Sequence, residues 1–394
     1  MHKLSVRDLD LEGRRVFVRV DYNVPLESGR VADDSRIRAS LPTLRLGLER
    51  GAALILASHL GRPKGKPNPD CSLAPVAGRL AALLERPVSF ATDCVGPEVQ
   101  RQARALRPGE ILMLENLRFH AEEEKNDPEF AAALADLAEC YVNDAFGAAH
   151  RAHASTAGMA SHFERPAAGL LMAKELDVLG RVLAAPRLPL VLLLGGAKVK
   201  DKIPVLENLV PRAQATLIGG GMAYTFLAAE GIGIGASLLD RDHLDFASEL
   251  LRRARERGCE ILLPRDHVVA PAIEAEQQAQ PIDAPAVPAG LAGFDIGPKT
   301  VSAFRQRLAQ AGTIVWNGPM GVFERPRFAA GTRALAQAVA DSPATSIVGG
   351  GDSVRALEES GLAGRISHVS TGGGASLELL GGLTLPGVAA LADA

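Results

Sequence analysis

In the first half of this 394-residue chain, charged and polar residues gather directly after short apolar runs. Asp21-Tyr22-Asn23 follows Val16–Val20, and Ser58-His59-Leu60-Gly61-Arg62-Pro63 follows Leu54–Ala57. Glu115-Asn116-Leu117-Arg118-Phe119 follows Ile111–Leu114; Asn143 to Gly147 follows Tyr141-Val142 and leads into His150-Arg151-Ala152-His153. Arg36 stands in the first turn of a helix whose start is signalled by Asp33-Asp34-Ser35, where a cation opposes the helix dipole. Arg36, Arg62, Arg118 and Arg151 with His59, brought to one rim, make a pocket for a compact polyanion. Guanidinium forks match carboxylate and phosphate oxygens. Taken singly, each of these residues also fits a solvated charge or a surface ion pair; their shared position at strand ends is what points to a site.

The second half follows its apolar runs with glycine instead: Gly195-Gly196, Gly219-Gly220-Gly221, Gly349-Gly350-Gly351 and Gly372-Gly373-Gly374. Glycine lets backbone N–H groups come close to a phosphate, and a following helix adds partial positive charge. Lys198 and Lys202 are i and i+4, which places both ammonium groups on one helical face and suggests a polyanion beside them; a solvated basic face with Asp201 as partner is the alternative. In Asn317-Gly318-Pro319-Met320-Gly321-Val322-Phe323-Glu324, the last residue could accept from a ribose hydroxyl. In Gly350-Gly351-Asp352-Ser353, Asp352 could hold a hard divalent ion bridging phosphates. Either acid also fits an ordinary helix N-cap or first turn. There is no GxxxxGK[ST] loop and no HRD or DFG set, and Gly231-Ile232-Gly233-Ile234-Gly235 lacks both GxGxxG spacing and a preceding strand.

The elements that must carry these groups are short and apolar throughout. Runs at 16–20, 54–57, 88–90, 111–114 and 141–142, then 190–194, 216–218, 261–263, 313–316, 346–348 and 368–370, are continuous rather than alternating. Such runs suit strands covered on both faces, hence parallel sheets with crossover helices and an α/β class in both halves. Met172, Leu176, Leu179 and Leu183 share one helical face, and Pro186 and Pro189 follow, so 170–184 reads as a helix joining the halves. The segment 270–290, rich in Ala, Pro and Gln, reads as a surface excursion or hairpin without obvious chemistry. Composition is that of a globular protein, 47% hydrophobic and 23% charged, and the net charge of −3 gives no global claim on nucleic acid or anionic membrane. Four scattered cysteines without a CxxC pair fit a reducing cytoplasm rather than a disulfide framework or a zinc site. No signal peptide or membrane span is expected.

With these motifs in this order over essentially the whole chain, the sequence resembles the phosphoglycerate kinase family. The quoted segments are Val18–Pro25, Ser58–Pro63, Glu115–Phe119, Ala149–Thr156, Gly195–Lys202, Asn317–Glu324, Gly349–Ser353 and Ser370–Ser376. The resemblance implies two Rossmann-like three-layer α/β domains with parallel sheets, joined by a helix and separated by a cleft. It puts a phosphoglycerate-binding domain at 1–169, the interdomain helix at 170–184 and a nucleotide-binding domain at 185–374, with a tail from about 375 to 394 packing back near the first. It implies reversible phosphoryl transfer between 1,3-bisphosphoglycerate and ADP, giving 3-phosphoglycerate and ATP, with Mg2+. By motif, Asp21, Asn23, Arg36, His59, Leu60, Gly61, Arg62, Arg118 and Arg151 would bind phosphoglycerate. Lys202, Gly219, Gly220, Asn317, Glu324, Gly350, Gly351, Asp352 and Ser353 would bind nucleotide, Asp352 as the metal ligand. Arg36, Lys198, Lys202, Gly373 and Gly374 would stabilise the phosphoryl group in transfer. Tyr22 stands where phenylalanine is usual, and Lys200 where a small or acidic residue is common. A cytoplasmic monomer without nucleic-acid or membrane partners is implied. A Rossmann dehydrogenase is disfavoured by the missing fingerprint, and nothing in the motifs favours a nucleotide-sensing scaffold.

Overall fold

A computed structural model describes residues 2–394. The expected apolar runs form two six-stranded, all-parallel sheets. The first runs Ser89–Phe90, Ile111–Met113, Ala53–Ala57, Arg15–Arg19, Cys140–Asn143, Ala167–Ala168 across its width. Val16, Val18, Leu54, Leu56, Ile111 and Met113 point to one face and share a core with Ile37, Leu41 and Leu44 of the helix Ser35–Glu49 and with Val76 and Leu80 of the helix Ala74–Leu84. Phe17, Ile55 and Tyr141 point to the other face and are equally buried, Phe17 and Tyr141 stacked at 6.2 Å. Both faces are dry, which is why the runs are continuous.

The second sheet runs Glu260–Leu262, Ala215–Ile218, Leu190–Leu194, Thr313–Asn317, Thr345–Gly349, His368–Val369. Trp316, Leu193 and Val348 pack with Phe304 and Leu308 of the helix Pro298–Ala309 and with Leu335 and Val339 of the helix Ala330–Asp341. Its first strand in chain order, Leu190–Leu194, lies beside its fourth, Thr313–Asn317, so the strand order reverses direction there. Beyond the carboxyl ends of such a pair the crossover connections diverge and leave a crevice, the usual ligand position in this architecture.

Chain contacts divide the molecule into residues 1–180 with Thr384–Ala394, and Arg181–Leu383. The chain passes from one to the other inside the helix Leu170–Ala184. The returning tail is shorter than expected: it begins at Thr384 rather than near 375, because the helix Gly374–Leu380 packs in the second unit, where Asn208 donates to the Leu380 carbonyl at 2.7 Å. The tail itself is stitched into the first unit by Leu4 N–H to Ala392 O and Gly387 N–H to Ala149 O, both 2.8 Å. The excursion at 270–290 contains the expected hairpin, with Val268 paired antiparallel to Pro281, and extends it by a third strand. His267–Ala270, Gln280–Ile282 and Ala292–Ile296 form a three-stranded antiparallel sheet. Pro271, Pro281 and Gly293 interrupt the alternation that would have announced it.

The strand reversal in the second unit is closed by glycine. Gly318 has φ +92°, and a Cβ there would collide with the carbonyl oxygen of Gly195, the residue that follows the neighbouring strand. Gly318→Ala should therefore cost roughly 2–4 kcal/mol in backbone strain and overpacking. Thermal unfolding checks this, with a clear drop in Tm expected and an unchanged Tm contradicting the packing described.

Candidate functional site

In the first unit the predicted residues meet at the carboxyl ends of the central strands. Arg36 Nη1 donates to Asp21 Oδ2 at 2.8 Å, which aims the rest of the guanidinium fork from the helix start. Asn23 Oδ1 accepts from Gly61 N–H at 2.9 Å, and Arg118 Nη1 donates to Gly61 O at 2.9 Å, so the Gly61 loop is held from both sides. Asn116 Nδ2 donates to Leu60 O at 2.7 Å and to Cys71 O at 2.8 Å. Arg62 lies exposed beside Gly61, and Arg151 is half-buried with Nε donating to His150 Nε2 at 3.1 Å. His59 is buried, and its pKa lies well below the ordinary 6.5, first by burial and then by Arg19, Arg118, Arg151 and Arg36. Three of the four predicted arginines therefore act on His59, together with Arg19, the last residue of the strand Arg15–Arg19.

Arg19 is fully buried beside His59. Its Nε donates to Ser155 Oγ at 2.8 Å, its Nη1 to the Val20 carbonyl, and its Nη2 faces His59 Nδ1 at 3.2 Å. An arginine only donates, so His59 Nδ1 accepts and the neutral ring carries its proton on Nε2. Ser155 in turn donates to Glu123 Oε1 at 2.6 Å, and Glu123 is completely buried, with its pKa raised by burial. The signal for this network was a charged residue inside a continuous apolar strand run. Tyr22, in the phenylalanine position, is buried with its hydroxyl on Ser40 Oγ at 2.7 Å, so its extra polar atom is satisfied.

The second unit holds two neighbouring cavities. One, of about 400 Å3, is lined by Lys198, Lys202, Asn317, Gly350 to Ser353 and Gly373-Gly374. Lys202 is 9% exposed and donates through Nζ to Asn317 Oδ1, while Asn317 Nδ2 donates to Gly349 O at 2.8 Å. Burial lowers the Lys202 pKa, and Asp201 and Asp352 pull it back up. Ser353 Oγ accepts from Gly318 N–H at 2.6 Å. Asp352 is exposed in the first turn of the helix Gly351–Glu359 and faces both cavities. The other cavity, about 500 Å3, has Gly220, Gly221, Leu238, Ile273 and Phe294 among its walls and Glu324 at its edge. Gly219 sits beneath it, where a Cβ would meet Met320 Sδ at 2.5 Å, so of that pair Gly220 alone faces the space.

Two expectations change here. Lys198 and Lys202 do not share a helical face: the chain turns through 3-10 geometry at Lys200–Lys202 and the helix starts at Ile203, with Pro204 in its first turn as proline prefers. Lys198 is exposed and Lys202 buried, yet both line the smaller cavity. The apolar walls of the larger cavity come partly from Pro271, Ala272 and Ile273, in the segment read as having no chemistry. Among the described residues, Asp93, Cys94 and His120 also cluster, but His120 Nε2 pairs with Asp93 at 2.6 Å and the Cys94 thiol donates to Glu115 O at 3.0 Å, so they satisfy one another or the backbone.

The geometry thus sets guanidinium groups around His59 in one unit and a glycine-lined cavity with a buried lysine in the other. The family model described as phosphoglycerate kinase matches residues 6–383. The chain belongs to the phosphoglycerate kinase family. It is similar to "Phosphoglycerate kinase" of Koribacter versatilis, 57% identical over all of both chains, and to that of Solibacter usitatus, 59% identical over 99% of this chain and all of the relative. The solved structure of phosphoglycerate kinase from Coxiella burnetii matches with a TM-score of 0.89 at 43% identity over 98% of each chain. Membership in this family makes the chain a phosphotransferase with a carboxyl group as acceptor and a place in glycolysis.

The basic pocket carries a pH signature. His153, beside Glu123, is pushed down to about 4 by burial and then by Arg118, Arg19 and Arg151. Below its ordinary 6.5, the unfolded chain takes up a proton that the folded chain refuses, so this contribution is lost as pH falls from about 6.5 to about 4. Thermal unfolding of the wild type and His153→Gln across that window should show the wild type losing more Tm than the variant; parallel curves would contradict the shift.

Proposed function

We propose that the chain performs the reversible transfer of a phosphoryl group between 1,3-bisphosphoglycerate and ADP, yielding 3-phosphoglycerate and ATP, with the residue roles that follow. The observation that carries this reading is the difference between the two anion sites: guanidinium groups around a neutral His59 in one unit, backbone glycines around Lys202 in the other. Arg62, Arg118, Arg151 and the Nε2–H of His59 bind phosphoglycerate, with Asp21 and Asn23 holding Arg36 and the Gly61 loop in place. Leu60 and Gly61 supply the backbone of that loop. Lys202, Asn317, Gly350, Gly351 and Ser353 shape the phosphate end of the nucleotide site, and Glu324 meets the ribose. Gly219 and Gly220 form the turn under the base.

The acceptor carboxylate is already ionised at neutral pH and the acyl phosphate is an activated donor, so no general base is required. What remains is in-line positioning and charge compensation of a metaphosphate-like group. Arg36, Lys198, Lys202 and the N–H groups of Gly373 and Gly374 provide that compensation. Water must be kept out during transfer, since it would hydrolyse the acyl phosphate. Mg2+ fits the donor set of the nucleotide site: Asp352 offers a hard carboxylate toward both cavities, and this ion typically takes one or two carboxylates plus substrate phosphates. When bound it would neutralise phosphate charge. The free thiols of Cys71, Cys94, Cys140 and Cys259 support a cytoplasmic setting, and we read the chain as a monomer acting without nucleic acid or membrane.

The test is a coupled assay with 3-phosphoglycerate, MgATP, excess glyceraldehyde-3-phosphate dehydrogenase and NADH. Oxidation that requires both substrates supports the reading; none from folded protein that binds MgATP overturns the substrate assignment. In the same assay Arg36→Ala should lower kcat roughly 10²–10³-fold by analogy with loss of one oxyanion donor. Its ADP affinity by calorimetry should stay near the wild type, and near-wild-type turnover would refute the role. Lys202→Ala should instead weaken ADP and ATP binding, and unchanged affinity would remove Lys202 from the site.

A further inference from the structure

We propose that Arg355 is a positioning residue for the nucleotide: it holds the carboxylate of Glu324 toward the ribose and ties it to the helix that carries Asp352. The inference rests on the reading of Glu324 as the ribose acceptor.

Glu324 sits in a turn after the strand Thr313–Asn317, with about half of its side chain exposed. A glutamate in such a place has several rotamers open to it, and ordering it on binding costs entropy. Here the ordering is supplied in advance. Arg355 Nη2 donates to Glu324 Oε1 at 2.6 Å, and the Arg355 guanidinium lies over the Phe323 ring with Cζ 4.5 Å from its centroid. Its Nε is 3.6 Å from Glu359 Oε1 on the same helix. Phe323 is buried with Ala329 and Ala356, so the ring under the guanidinium is itself fixed. Stacking and a directed hydrogen bond together favour one orientation of a planar fork, which a flexible ammonium could not reproduce.

The helix Gly351–Glu359 gives this clamp a functional consequence. Asp352 is in its first turn and Arg355 follows at i+3, about 4.5 Å farther along the axis. The carboxylate at the phosphate end and the cation that orients the ribose carboxylate therefore ride on one rigid element. Glu324 and Asp352 both border the same 500 Å3 cavity. The spacing between the ribose and phosphate contacts is thus set before nucleotide arrives. An ion pair this exposed adds little to folding stability, so its effect belongs to orientation.

The experiment compares ATP with 2′-deoxy-ATP and 3′-deoxy-ATP in the forward coupled assay, using the full-length wild type, Arg355→Ala, Arg355→Lys and Glu324→Gln, with Tm measured for each. Arg355→Ala should keep its Tm and its KM for 3-phosphoglycerate and raise KM for ATP about two- to fivefold, the scale of an exposed ion pair. Its preference for ATP over the deoxy analogue that lacks the recognised hydroxyl should fall by a similar factor, with Arg355→Lys recovering only part. Glu324→Gln should lose the same preference. If Glu324→Gln loses it and Arg355→Ala does not, the clamp is refuted while the ribose role of Glu324 stands. If neither loses it, the ribose reading fails and takes the clamp with it. Equal losses for ATP and both analogues in Arg355→Ala would mark a general structural role and also overturn the proposal.

Discussion

Positive charges repel, and the first unit has to hold several of them together before any anion arrives. Arg19, Arg36, Arg118 and Arg151 all act on one imidazole, and the fold answers this in three ways. His59 stays neutral, so it adds a donor without adding a charge. Asp21 takes Arg36 at 2.8 Å, and Glu124 takes Arg118 at 3.2 Å. The deepest cation, Arg19, reaches the buried Glu123 only through Ser155, a relay that satisfies hydrogen bonds in a place where water cannot. Buried ionic networks of this kind contribute little net stability, and their value here is in fixing where the remaining guanidinium groups point.

The second unit solves the same recognition problem with less net charge. Its strands end in glycine, and the backbone itself becomes the binding surface. Gly220, with φ +66°, is so close to Gly196 that a Cβ would lie 2.6 Å from its nitrogen. That closeness lets the two turns form one floor beneath the larger cavity. Lys202 is the buried cation of this site, held by Asn317, whose amide reaches on to Gly349 and so joins two strand ends. Burial works against the Lys202 charge while Asp201 and Asp352 restore it, so the lysine holds its charge with part of its hydration already removed.

Much of this was legible in the sequence because the relevant signals are local. Continuous apolar runs marked every strand of both large sheets except Ala167–Ala168, which at two residues is too short to show a pattern. Glycine after a run marked the turns that line the two cavities of the second unit. What escaped was long-range or depended on chain direction. Lys198 and Lys202 have helical spacing, yet Pro204 shows that the helix starts after them. Glu123 and Ser155 lie far from Arg19 in sequence, and no spacing rule joins them. The antiparallel sheet at 267–296 is broken by proline and glycine, so the walls it lends to the larger cavity carried no periodicity. Arg355 carries no motif signal, because its contacts with Phe323 and Glu324 join residues about thirty positions away.

As proposed, the two sites work by different physics, one by clustered guanidinium charge and the other mainly by backbone N–H groups. Calorimetric affinities for 3-phosphoglycerate and for ADP, each measured alone across a series of salt concentrations, test this directly. Screening weakens an interaction between full charges more than one with oriented dipoles. The 3-phosphoglycerate affinity should therefore fall distinctly more steeply with salt than the ADP affinity. Equal slopes, or a steeper slope for ADP, would contradict this division of labour.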